Sequence, residues 1–321
     1  MVPSPIPPSA PSGWEHTDLF RLVDHDGGCV AWVAPQFGRN TIALAFWINH
    51  QWRHLMFIGG PDALRARPTR YGCPVLFPFP GYARNARYHW CGHTRALPIN
   101  GPDGRSHVHG FAHDRAWRVV DTEVDCITLE LATLSDLTTI ERNAYPFDIV
   151  IRQVVKIANR QLTISLEAFN RGSEVAPVGL GLHPYVDPSF LNCPRQDHVA
   201  RLPGTVQRVL EGSVPTSELR KVISNMRTLR DMEEPVICLT DLGDEASASL
   251  HGVDGPAVQC HLDSGWNDFI LFAPADQPSV ALEPLTCSLS AVSLSPATGH
   301  SLPALAPNHS TAAALRLRMA L

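Results

Sequence analysis

Three short stretches hold ionisable side chains among apolar, glycine or proline neighbours, where a solvated surface would not need them. Residues 106–117 read SHVHGFAHDRAW and contain His107, His109 and His113. Residues 178–188 read VGLGLHPYVDP, with His183 between a glycine-spaced run and a proline. Residues 279–286 read SVALEPLT, with Glu283 at the end of an apolar run and Pro284 after it. Imidazole titrates near neutrality, and a carboxylate held partly out of water has its pKa raised toward the same range. Together they suit general acid and base work.

Each stretch has a competing reading. On an extended strand His107 and His109 share a face, with Val108 opposite, and Gly110 admits close approach of a backbone or ligand. Such an H-x-H pair also opens metal sites of the cupin type, but these want a glutamate a few residues on and a further histidine from a later strand. The nearest following acid is Asp114, so no metal is expected and an active-site histidine is favoured. A lone histidine such as His183 is as often a satisfied core residue, and a buried glutamate can simply pair internally.

Chemistry of this kind needs a scaffold, and the chain supplies short β-like runs separated by turn residues: CVAWVAP, TIALAFWIN, AWRVVDTEV, CITLELATL and FDIVIRQVVKIANRQLTISLEAFNRG. In the last, Leu162, Ile164, Leu166 and Ala168 share one face, Thr163, Ser165 and Glu167 the other, and residues 158–161 reverse the chain, which predicts an antiparallel hairpin. The 28 prolines and 22 glycines are spread along the chain, which favours many short strands and disfavours long helices. Only TSELRKVISNMRTLR, residues 216–230, reads as partly helical. Residues 1–13 are Pro/Ser-rich and predict a loose tail. Residues 14–321 show no repeat or linker and predict one domain, an all-β fold in which two large antiparallel sheets bury their apolar faces as a sandwich.

Of the 321 residues 44% are hydrophobic and 18% charged, enough to build a core and too few charges for disorder. The net charge of −5 and the scattered basic residues disfavour nucleic acid and anionic membranes as partners. The eight cysteines include no C-x-x-C pair, and no apolar run is long enough to span a bilayer. A reducing, cytoplasmic setting is the expectation.

The three chemical stretches also resemble, in the same chain order, motifs of the aldose 1-epimerases, a galactose mutarotase-like family. The matching residues are HGFA with a following tryptophan (His109 to Ala112, Trp117), HPY (His183 to Tyr185) and EP-x-T (Glu283 to Thr286). YGCPVLFPFPG (Tyr71 to Gly81) is similar to the family's G-x-PV-x-FP stretch, VPTSE (Val214 to Glu218) to its PTGE loop, and FILFAP (Phe269 to Pro274) to the strand before the catalytic glutamate. The resemblance covers most of the chain beyond the tail. It implies the galactose mutarotase-like supersandwich, with Glu283 as general base, His183 as general acid and His109 polarising the sugar, a base and an acid on opposite sides of the anomeric carbon, and no cofactor. His107 and Tyr185 are expected to line the same sugar site.

Two family residues are absent. Where an arginine is usual, aligned on Tyr88, this chain has Tyr82, with Arg84 two residues later; on a strand the two face the same way, so both are expected to bind substrate. Where the family has acids after the PTGE loop, this chain has Val236 and Ile237, with Glu233, Glu234 or Asp241 as candidate substitutes. The leading expectation is an enzyme that interconverts the anomers of an aldose or sugar phosphate. The alternative is a non-catalytic carbohydrate-binding or regulatory module on the same fold.

Overall fold

The computed structural model describes residues 6–24, 28–38, 40–211, 214–243, 246–253, 256–294 and 302–320. Strands dominate, and every pair of named strands runs antiparallel. The largest sheet has nine strands in the order Arg118–Thr122, Cys126–Ala132, Ile149–Ala158, Gln161–Asn170, Ser310–Ala320, Ala257–Leu262, Ser247–His251, Val199–Arg201 and Met226–Thr228. The predicted hairpin lies at its centre. Ile149–Ala158 pairs with Gln161–Asn170 over their full lengths, and Asn159 (φ 52°) and Arg160 (φ 56°) form the two-residue turn. Two successive left-handed residues match the right-handed twist of the flanking strands.

The eight-stranded sheet carries the site. Its strands run Val214–Lys221, Val206–Glu211, Val236–Thr240, Asp268–Phe272, Val280–Leu285, Gly181–Leu182 and Val75–Leu76, and Tyr185–Val186 also pairs with Val280–Leu285. Alternation decides which side chains enter the core. Ile237, Leu239, Phe269, Leu271, Val280 and Leu282 join the large core cluster, which also takes Ile151, Val155, Ile164, Leu166, Leu315 and Leu317 from the nine-stranded sheet. Val236, Cys238, Ile270, Phe272 and Glu283 alternate with these and occupy the opposite face. That second face is covered too, so all six residues of Val280–Leu285 are buried. A strand buried on both sides reads as a continuous apolar run, and the one carboxylate in it is conspicuous for that reason.

A four-stranded sheet, Phe20–Val23, Cys29–Ala34, Asn40–Ile48 and Gln51–His54, packs a separate cluster around Trp14 and Trp32, and three two-stranded sheets complete the described strands. Residues 6–13 form no strand or helix. The carbonyls of Ile6 and Ser9 nevertheless accept hydrogen bonds from the Trp52 and Trp32 indoles, both at 3.2 Å, so this part of the expected loose tail lies against the sheet.

The segment expected to be partly helical is extended: Val214–Lys221 and Met226–Thr228 are strands, followed by one 3-10 turn at Leu229–Asp231. Leu219, Val222, Ile223, Met226 and Leu229 do recur at helical spacing, but Leu219, Ile223 and Met226 stay exposed, and the edge of the sheet offers the segment a hydrogen-bonding partner in Val206–Glu211. Among the described residues, no helix is long and apolar enough to cross a membrane.

Candidate active site

Glu283 leaves the outer face of the eight-stranded sheet from the strand Val280–Leu285, directly beside Ile270 of the neighbouring strand. His183 follows Gly181–Leu182 on the other side of Glu283. Leu182 pairs with Val75, Gly181 with Leu76 and Leu285, and the His183 N–H donates to the Pro74 carbonyl at 3.1 Å. A Cβ at Gly181 would meet the tip of the Leu285 side chain at 2.7 Å, so any larger residue here would have to displace that side chain.

The geometry brings the expected acid and base into direct contact, with His183 Nε2 3.1 Å from Glu283 Oε1. The Tyr185 hydroxyl is 3.4 Å from the same nitrogen, and its ring stacks on the imidazole with centroids 4.6 Å apart. Both members of the pair are about 96% buried, each side chain being 4% exposed. Burial disfavours charge on each. It pushes Glu283 well above the ordinary carboxylate value, opposed by the nearby Arg70 guanidinium, and pushes His183 down to about 3. At 3.1 Å a single proton can pass directly between the two groups, and burial favours the uncharged form, imidazole with carboxylic acid, over imidazolium with carboxylate. The expected arrangement on opposite sides of a sugar carbon is not what is found, because neighbouring strands set the two groups side by side.

His109 completes the trio, its ring edge-on to His183 at 5.6 Å. Its backbone is left-handed (φ 63°), held by its own N–H donating to Gly81 O at 2.9 Å, and its Nδ1 accepts from the Gly81 N–H at 3.2 Å. A ring that accepts at Nδ1 carries its proton at Nε2, leaving an N–H for a ligand. Burial first, then the neighbouring His183, hold its pKa well below the usual histidine value, so it is neutral. Gly110 (φ 73°) then docks the chain on Phe77, where a Cβ would lie 2.0 Å from the Phe77 carbonyl oxygen.

These groups open into a cavity of about 140 Å³, also lined by Arg70, Tyr82 and Val236. Two expected ligands lie elsewhere. His107 does not line the cavity: its Nδ1 is 2.6 Å from the Pro98 carbonyl and its ring packs on Phe111, with centroids 4.9 Å apart. The alternation that was to put His107 and His109 on one face stops at Val108, because the left-handed backbone at His109 re-aims its own side chain. Arg84 is exposed in the 3-10 turn Arg84–Ala86, so the strand bearing Tyr82 ends before it, and the two do not share a face. The VPTSE residues lie in an edge strand and do not line the cavity. Nor do Glu233, Glu234 and Asp241, so Val236 faces the cavity without an acid beside it.

Arg70 brings a cation to the cavity. Its Nη1 donates to Gln277 Oε1 at 2.8 Å, Gln277 Nε2 returns a bond to its carbonyl at 3.0 Å, and the guanidinium stands over the Phe272 ring at 5.4 Å. The signal for it was a basic residue immediately before YGCPVLFPFPG, one position ahead of the segment read as a motif. Among the described residues, no three His, Cys, Asp or Glu side chains gather in a metal-binding cluster.

The fold has clear counterparts. Residues 48–317 match the family model described as aldose 1-epimerase, and the chain belongs to that family. A curated relative, the Uncharacterized protein YihR of Escherichia coli strain K12, is 23% identical over 257 residues, covering 75% of this chain and 77% of the relative. Among solved structures, a GalM/aldose epimerase homologue from C. elegans superposes with a TM-score of 0.78 at 15% identity, covering 95% of this chain and 99% of the other. A galactose mutarotase-like protein from Clostridium acetobutylicum gives 0.77 at 16% identity, with 95% and 98% covered. The architecture is thus the galactose mutarotase-like one, and family membership supports a sugar epimerase-like enzyme.

Proposed function

We propose that this chain is an aldose 1-epimerase that opens and recloses a sugar hemiacetal with the His183–Glu283 pair. The observation that carries this reading is the 3.1 Å contact between the two groups at a cavity. Both oxygens of a hemiacetal sit on the same carbon, so two adjacent proton-transfer groups can reach both from one side. Glu283 as carboxylate takes the proton of the anomeric hydroxyl while His183 as imidazolium gives its proton to the ring oxygen. The C1 carbonyl forms and the ring C–O bond breaks, with no free alkoxide produced. After rotation about the C1–C2 bond the protons return in reverse order on the other face of the aldehyde. The pair ends with the single proton it started with, and no cofactor enters the balance.

His109 fits the part of a neutral N–H donor to a sugar oxygen, and Tyr185 holds His183 by stacking and through its hydroxyl. Tyr82 and Arg70 line the cavity as ligands for hydroxyl or phosphate oxygens. Each positioned acid or base contributes roughly 10²- to 10⁴-fold. Exchange NMR between the α and β anomers of several aldoses and hexose phosphates is the test. Exchange faster than the spontaneous rate for at least one sugar is expected, and none above that rate would remove the proposal. Val236 in place of an acid favours a second reading, a sugar-binding module without turnover, which the same experiment separates by showing binding with no added exchange.

A further inference from the structure

We infer that the cavity selects an aldose with a deoxygenated edge, a deoxy sugar in preference to its fully hydroxylated parent. This rests on the epimerase reading for the placing of C1 beside Glu283, and adds the identity of what lies beyond it. Strand register lays out the floor of the cavity. Glu283 pairs with Ile270, which pairs with Cys238, and in the next row Phe272 pairs with Val236. Moving away from the catalytic carboxylate across two strands, the cavity is therefore lined by Ile270, Phe272 and Val236, and Leu289 and Val108 also line it. None of these side chains donates or accepts a hydrogen bond.

The polar side chains next along the same face are engaged with each other. Arg208 Nε and Nη2 donate to the two Asp268 carboxylate oxygens at 2.8 and 3.1 Å, and Nη2 also donates to Thr240 Oγ1 at 3.1 Å. Asp268 accepts further bonds from Asn267 and from the Leu289 N–H, at 2.7 and 3.2 Å. The pair is buried and absent from the cavity lining. A hydroxyl pressed onto the Ile270–Val236 part of this floor loses its water and gains no partner from these side chains, while the Arg70 guanidinium stands over the Phe272 ring and is bonded to Gln277. A C–H or methyl group there is accommodated by contact alone. Because an apolar wall rejects an added hydroxyl only moderately, the preference should amount to about 10- to 100-fold.

The test compares D-glucose and D-galactose with their 2-, 3-, 4- and 6-deoxy forms. Anomer exchange is measured by NMR, and each catalysed rate is divided by the spontaneous rate of the same sugar. At least one deoxy form should exceed its parent by about 10-fold or more in normalised kcat/KM. Val236→Asp should cut that advantage by at least about 10-fold, with Val236→Asn as the milder variant if the aspartate impairs folding. Parents equal to or better than every deoxy form would overturn the inference while leaving the epimerase reading intact. If no sugar is exchanged, the epimerase reading falls, and saturation-transfer NMR on the same panel still decides selectivity. Tighter binding of a deoxy form supports it, and equal, weaker or absent binding overturns it.

Discussion

Replacing Glu283 by glutamine separates catalysis from stability in opposite directions. The amide has the shape of the carboxyl group and retains one hydrogen bond to His183 Nε2, 3.1 Å from Oε1 in the native protein, so packing is preserved. It cannot take the anomeric proton. Loss of a positioned base is worth about 10²- to 10⁴-fold in kcat, or roughly 3–5.5 kcal/mol of barrier at about 1.4 kcal/mol per decade. The stability effect follows from the raised carboxyl pKa. A carboxyl whose folded pKa lies above its unfolded value favours the folded state at low pH, and this is lost as pH rises from the unfolded value through the folded one. Glutamine has nothing to ionise, so Glu283→Gln should gain over wild type above about pH 4.5, the gain growing with pH. A gain of about 1 kcal/mol would raise Tm by about 2–4 °C. Exchange NMR for kcat and thermal unfolding at pH 4, 6 and 8 are the assays. Activity within about 3-fold of wild type would refute the assignment of the base, and a Tm deficit that widens with pH would refute the burial argument.

Further outcomes follow from the same geometry. The pH profile of kcat/KM should be a broad bell, because catalysis needs one proton on the pair. Its acid limb should approach pH 3, where His183 takes a second proton, and its alkaline limb should lie well above the usual carboxylate range, where Glu283 loses the last. A profile falling at pH 4.5 would contradict the burial of the pair. Arg70→Gln removes a charge that holds down both pKa values, so it should move both limbs to higher pH and raise KM by about 10- to 100-fold, the loss expected for one charged hydrogen bond. His107→Asn should leave kcat/KM within about 3-fold while lowering Tm, whereas His109→Asn should lower kcat/KM by at least about 10-fold, since only the second ring lines the cavity. Asp268→Ala removes the carboxylate that pairs with the buried Arg208 at a cost of about 3–5 kcal/mol, read as a lower midpoint in urea.

What the amino-acid order determined by itself is local. Strict alternation from Leu162 to Ala168 is enough to define a half-buried strand, whereas a carboxylate inside the apolar run at Glu283 is consistent both with a site and with an internal pair. Resemblance of the segments around His109, His183 and Glu283 to aldose 1-epimerase motifs singled out residues that the fold gathers at one cavity. The tertiary structure decided everything that depends on register or on a backbone turn. Residues 183 and 283 meet because Gly181–Leu182 pairs beside Val280–Leu285, a contact across 100 positions that no local pattern encodes. His107 and Arg84 leave the site because the chain turns left-handed at His109 and curls into a 3-10 turn at Arg84, which breaks the period of two on which their placement relied. Arg70 reaches the cavity from a loop with no periodicity, held there by Gln277, 207 residues away in the chain. Side-chain direction on a strand is a property of the residue and its neighbours, whereas convergence on one pocket is a property of strand pairing and turns, which long-range packing selects.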